Sequence, residues 1–318
     1  MPLDHYVSQV HLRNFYSPAL DGTRMFGFRK RDGHIFPCRS RDVCRVENGS
    51  TNEYLLHDRA IEEFLKTIEP NYNRAIVEFR SGNPSRDAVY AIAGFVSYVS
   101  SCSPAAMRLG SDPLRTSVEA TAKILDSRGL IPRAPQALGG KTMTELLTDG
   151  DVQVTIDGKY PQAIGISAIM DRVGILGNST WDVIISDSGQ SPFFTSDFPT
   201  AIERSDDPRI LNRIAPLAPD LVVRIRPDLA VKELRGDFSF PKFRFRTISP
   251  KNSETRLINQ TIVRCAEQLV FFRDQADWVA PFLNRNRTFQ IQSETIQIPV
   301  ERGFMNVSTM RTRRAQSA

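Results

Sequence analysis

The chain is predicted to be an α+β protein, a helical layer packed on an antiparallel sheet with a closing C-terminal helix. Three observations predict this. Apolar residues recur at helical spacing over about 59–128. Short apolar runs bracketed by proline and glycine dominate about 151–248. Helical spacing then returns over 253–273. Helices and strands are thus segregated along the chain, which separates α+β from an alternating βαβ order.

Residues 1–57 read as irregular or strand-like, punctuated by Gly22, Gly27, Gly33 and Gly49. Within them MFGFRKRDGHIFPCRS predicts a hairpin, two aromatic runs about an Arg-Asp-Gly turn at 31–33. Over 59–79 the spacing of Ile61, Phe64, Leu65, Ile68, Tyr72, Ala75, Ile76 and Phe79 predicts a helix. Asp58 is its expected N-cap and Gly82 its stop, with Pro70 expected to end or kink it. A second helix follows over 87–101. Ser103-Pro104 reads as an N-cap followed by a first-turn proline, and Asp112-Pro113 as the start of a further helix ending near Gly129. The Pro/Gly-rich GLIPRAPQALGGK at 129–141 is the one candidate connector in what reads as a single domain.

The stretch 151–274 reads as strand-rich with a closing helix. WDVIISDSGQSPFFTSDFPTAI predicts strand, Ser-Gly turn and strand, with Pro199 closing it, and PDLVVRIRPD a further strand. SETRLINQTIVRCAEQLVFFRD supplies the helix. From about 300 the chain reads as a polar, basic, frayed tail.

Whole-chain properties narrow the class. The 318 residues are 41% hydrophobic and 24% charged, with net charge +5 and pI near 9.1. No apolar run reaches the roughly 18 residues of a membrane span, and the first residues lack the pattern of a secretory signal. Four scattered cysteines do not make a disulfide framework. A cytoplasmic, reduced protein without membrane contact is expected. Of 41 basic residues only 8 are lysine, leaving 33 arginines. Arginine's planar fork suits phosphate, so a nucleic acid or another phosphate-bearing ligand is a candidate partner; a genome whose codons favour arginine gives the same excess.

All four histidines (His5, His11, His34, His57) fall in the first 57 residues, beside Cys38 and Cys44. The spacing His34-x3-Cys38-x5-Cys44 matches no standard zinc site, so no metal site and no cofactor is expected. His11 alternates with Val10 and Leu12 as an exposed strand residue does. His5 stands near Arg13 and Asn14; histidine titrates near neutrality and can act as acid or base. FFTSDFP places Ser196 and Asp197 at a strand end, where sites are commonly built. Asp197 can orient a histidine or hold a divalent cation; its structural alternative is a turn in which the carboxylate accepts an N–H two residues on. Glu62 and Glu69, seven apart, share a helix face. The polar groups His5, Arg13, Asn14, Ser196 and Asp197 are expected to line one pocket, joined by Glu69 or Asn259, with the Asp197 charge raising the pKa of His5.

HYVSQVHLRNF, FFTSDFP, IAPLAPDLVVRI and INQTIVRCAEQLVF, in that order from His5 to about Arg273, resemble the motifs of the largely bacterial domain of unknown function 4238 family. The chain departs from that pattern at Ser8 (proline), His11 (an aromatic), Phe198 (asparagine) and Cys102-Ser103-Pro104 (Arg-Thr-Pro). The resemblance implies that an anion held by the missing arginine is either not bound or held by Arg108. It implies no reaction. From the residues themselves, the expected activity is that of a nuclease or other phosphoester hydrolase, with His5 as acid/base, Asp197 as its partner and Arg13 as phosphate clamp. The alternative is a non-enzymatic nucleic-acid- or protein-binding module in which the same polar groups are structural.

Overall fold

The computed structural model describes residues 3–186, 192–207, 210–228, 230, 236–300 and 303–315. The N-terminal strand β1 (Leu3–His5) pairs antiparallel with β4 (Arg45–Glu47). Between them the short helix α1 (Gln9–Arg13) is followed by the expected hairpin of β2 (Met25–Arg29) and β3 (His34–Cys38). Gly33 closes that turn at φ +75°, a conformation glycine adopts without a Cβ penalty.

Helix α2 (Ala60–Arg80) continues through Pro70 rather than ending there. A proline inside a helix costs about 3 kcal/mol. Of the seven buried side chains on one face, Ile61 to Phe79, the six larger than alanine each contribute about 1.5–3 kcal/mol and outweigh it. That face packs on α3 (Arg86–Cys102), where Gly94 permits the approach: a Cβ there would lie 2.6 Å from Ile68 Cγ2. Helix α3 is capped by Ser85 and is buried nearly all round, as a central core helix must be. Ser103 caps α4 (Pro104–Ser127) by accepting the Ala106 N–H at 3.2 Å. Asp112-Pro113 does not start a new helix; α4 continues through it.

Residues beyond the 129–141 connector are not at once strand-rich, contrary to expectation. They form α5 (Met143–Asp149), α6 (Lys159–Ser167) and α7 (Ile169–Gly177), the last two packed on α3. The main sheet follows, with strand order β10-β5-β9-β8-β7: β5 (Thr180–Ile185), β7 (Ala201–Arg204), β8 (Leu211–Ala218), β9 (Leu221–Arg226) and β10 (Arg244–Ile248). It is antiparallel except for the β10–β5 pair. Trp181 of β5 stacks on Phe79 of α2 with ring centroids 5.4 Å apart, joining sheet to helices. The Ser-Gly turn expected at 188–189 lies outside the described residues.

Strand β6 (Thr195–Ser196) does not pair back on β5. It joins a second sheet, β3-β2-β11-β6, through β11 (Leu269–Phe272). Helix α8 (Asn252–Cys265) therefore stops earlier than the predicted 273, and LVFF, apolar and aromatic, becomes the strand that unites the N-terminal hairpin with the FFTSDFP segment. Nor does α8 close the chain: α9 (Val279–Asn286) and a long hairpin of β12 (Phe289–Val300) and β13 (Gly303–Arg314) come after it. Residues 303–314 are thus a paired strand rather than a frayed tail. Among the described residues no single helix is long and apolar enough to cross a membrane. Exposure along 129–141 and its few internal hydrogen bonds lead to an expected first cut there in limited proteolysis, read by mass spectrometry. First cleavage inside α3 would contradict that.

Candidate functional site

The two halves of the opening motif face opposite ways. The β1–β4 ladder sets His5 opposite Arg45, and the Tyr6 N–H continues the pairing to the Cys44 carbonyl at 2.9 Å. Neighbouring residues of an extended segment point to opposite sides. Tyr6 turns inward, where burial, then Cys44 and Asp197, raise its phenol pKa. His5 turns toward a cleft of 520 Å³ that also receives Arg13 and Gln9 of α1, Asp4, and Glu62, Lys66 and Glu69 of α2.

Within the cleft several charges are already matched. Glu62 is held by Arg59, Lys66 Nζ lies 2.6 Å from Glu63, and Asp4 accepts the Ser50 N–H at 3.0 Å. Three groups are not. Among the described residues the Glu69 carboxylate makes no hydrogen bond or ion pair, and the Arg13 guanidinium has only a long contact of 3.4 Å to Gln9. His5 Nε2 is enclosed with no hydrogen-bond partner among them. Burial and then the Arg45 charge hold the His5 pKa below the usual histidine value, against the carbonyls of Ser40 and Arg41 and the charge of Glu69. Its imidazole is therefore neutral at pH 7. The expected upward shift from Asp197 is not present, because Asp197 is not among the groups acting on the ring.

Asp197 lies instead in the interior. Its carboxylate accepts the N–H groups of Glu267 at 2.8 Å, Gln268 at 2.7 Å and Leu269 at 2.9 Å, pinning the turn between α8 and β11. Burial pushes its pKa up to about 6, while those three donors and the Lys30 ammonium favour the ionised form. The local turn anticipated for Asp197 cannot close, since residue 199 is proline and offers no N–H. The Ser196 hydroxyl takes that role, accepting the Phe198 N–H at 3.1 Å. Asn259 of α8 accepts from the Phe194 N–H and donates to the Pro192 carbonyl, both at 2.9 Å. Asn14 caps α1 through the Val10 carbonyl and reaches Asn73 on α2. The structure thus gathers His5, Arg13 and Glu69, and places Asn14, Ser196, Asp197 and Asn259 in structural hydrogen bonds outside the cleft.

His11 also departs from expectation, being a helical residue with no exposure rather than an exposed strand residue. Nδ1 meets Tyr72 Oη and Nε2 meets Thr195 Oγ1, each at 2.8 Å, and the ring stacks on Phe95 at 4.7 Å. Arg108 is no free anion clamp; it forms a two-point pair with Glu267 at 2.8 and 2.6 Å. Many arginines are likewise paired, with Arg226 and Arg246 on the buried Asp182 and Arg80 on Asp220. Among the described residues no group of three or more His, Cys, Asp or Glu is placed to hold a metal ion. The cleft residues missed in the sequence, Asp4, Gln9 and Lys66, carried one usable signal: Lys66 falls at i+4 between Glu62 at i and Glu69 at i+7 of α2, the acidic pair already noted.

A sequence model of the family described as "Protein of unknown function (DUF4238)" matches residues 4–276. No curated protein and no solved structure matches the chain.

Proposed function

Because the chain belongs to the DUF4238 family of proteins of unknown function, its activity must be read from its own residues, and we propose that the His5 cleft takes a phosphate-bearing ligand and hydrolyses its ester bond. One observation carries this: a neutral imidazole with an unpartnered nitrogen shares a cleft with an unpaired guanidinium and an unpaired carboxylate. Arg13, with Lys66 beside it, binds the phosphate. His5 takes a proton from the attacking water and returns it to the leaving oxygen as the P–O bond breaks. Glu69 favours the imidazolium formed between those steps, its charge already acting on His5 in that direction. Catalysis also requires the ring to turn its enclosed Nε2 toward the cleft.

A second reading, a phosphate-binding module without turnover, draws support from the structural bonds of Asp197, Ser196, Asn14 and Asn259. Turnover separates the two. RNA, single- and double-stranded DNA and p-nitrophenyl phosphate esters are offered with and without Mg²⁺. His5→Gln is expected to lower kcat by about 10²–10⁴-fold with the Tm nearly unchanged, and Arg13→Ala to raise KM. No cleavage of any ester by the wild-type chain would leave only the binding module; full activity of His5→Gln would remove His5 from the chemistry.

A further inference from the structure

A second cavity, of 290 Å³, lies among α3, α4, α6, α7 and β8, on elements other than those of the His5 cleft. Two guanidinium groups face it, Arg172 from α7 and Arg213 from β8, and among the described residues no aspartate or glutamate lines it. Arg172 donates to the Ser97 carbonyl at 3.2 Å and the Ser101 hydroxyl at 2.6 Å, which leaves donors of its five N–H groups unmatched. The Arg213 side chain makes no hydrogen bond or ion pair among the described residues. Burial, then the Arg172 charge, push its pKa down to about 10. The hydroxyl of Ser100, on the same wall, is enclosed without a partner.

Other arginines in the core are matched. Arg224, buried in the main sheet, is matched by Glu203 at 3.0 Å and by Asp182 and Glu254 at 3.5 Å, and Arg108 by Glu267. Withdrawing a charge from water is costly unless a counter-charge and hydrogen bonds compensate it, and two like charges at one cavity compound the cost. An oxyanion with several acceptor oxygens would answer both arginines and the Ser100 hydroxyl together. The remaining lining is mostly apolar and includes Leu109, Leu114, Ile164, Phe198 and, from the terminal hairpin, Met310. A pocket of this size and lining holds a small molecule and has no room for a polymer.

We propose that this cavity binds a small organic oxyanion, a carboxylate or phosphate monoester carried on a compact apolar body. The head sits between Arg172 and Arg213 and the body lies against Leu109, Leu114, Ile164 and Phe198.

Titration calorimetry with benzoate, phenyl phosphate, the neutral benzamide and inorganic phosphate tests this. At least one of the two aromatic oxyanions is expected to bind and benzamide not to bind; the preference between the two identifies the head group. Arg213→Met is expected to weaken that binding by about ten- to a hundredfold while leaving the unliganded Tm unchanged or raised, because an uncompensated cation is removed. Leu114→Trp fills the cavity, keeps both arginines, and is expected to abolish binding. His5→Gln should leave binding intact, which separates this site from the phosphoester cleft. No binding by either aromatic oxyanion, inorganic phosphate binding as tightly as phenyl phosphate, or affinity that survives Leu114→Trp would each overturn the proposal.

Discussion

Asp197→Ala is expected to lower the unfolding free energy by about 4 kcal/mol, the cost of breaking a buried charge network by removing one partner. Three backbone N–H groups at 267–269 lose their acceptor together, and each unsatisfied buried donor costs about 1–3 kcal/mol where the site cannot relax. Lys30 loses the anion that acts most strongly on it in the same step. Its ammonium donates to the carbonyls of Ala266 and Phe289, both at 2.6 Å, so it ties the β2 end to the α8–β11 turn and to the start of the terminal hairpin. Burial already holds its pKa down to about 8, and Asp197 is the largest influence opposing that. Asp197→Asn keeps one oxygen and should cost about half as much. Urea midpoints at constant slope measure both. A loss below about 1 kcal/mol for the alanine variant would show that water or a backbone shift replaces the carboxylate. The His5 resonance in an NMR titration is expected to be indifferent to Asp197→Asn, since Arg45 and Glu69, not Asp197, are the charges acting on that ring.

His11→Ala is expected to cost about 3–5 kcal/mol at pH 7, through the lost aromatic packing and the two hydroxyls left without a partner. This cost should shrink with acid. Burial holds the His11 pKa down to about 3, whereas in the unfolded chain it is about 6.5. Between those values the unfolded state binds the extra proton, so wild-type stability falls as the pH drops from about 6.5 toward 3. The alanine variant lacks this dependence, and the gap between the two chains narrows by up to about 1.4 kcal/mol per pH unit. Asp197 acts in the opposite sense: its folded pKa, raised to about 6 against about 3.9 unfolded, makes the native state bind the earlier proton, so its own contribution grows as the pH falls between those values. It is common to both chains and cancels in the comparison. A gap constant from pH 7 to pH 4 would mean that His11 is reached by water.

Local chemistry alone determined the hairpin of β2 and β3, the helical face of α2, the Ser103-Pro104 start of α4 and the segregation that makes the chain α+β. Each rests on spacing or turn residues within one short stretch. The signals that failed were local ones overruled by packing. Pro70 and Pro113 read as breaks, yet helices continue through both, and the apolar face of α2 is buried along its whole length. The stretch KYPQAIGISAIMDRVGILG lies within 151–274, which reads as strand-rich as a whole, yet it folds as α6 and α7, both packed on the buried α3.

For the site, the sequence by itself determined that His5, Arg13 and Glu69 are polar groups beside apolar anchors, and tertiary structure does bring those three to one cleft. Whether a polar side chain meets solvent or backbone was decided only in three dimensions. Asp197 finds its acceptor role 70 residues along the chain, at a turn that exists because β11 pairs with both β2 and β6. Arg172 and Arg213 come to share a cavity only because the fold brings α7 and β8, 41 residues apart at these positions, to line the same space. A carboxylate or guanidinium carries the same formal charge in every context; the dielectric and the partners that decide its use are supplied by residues distant in sequence.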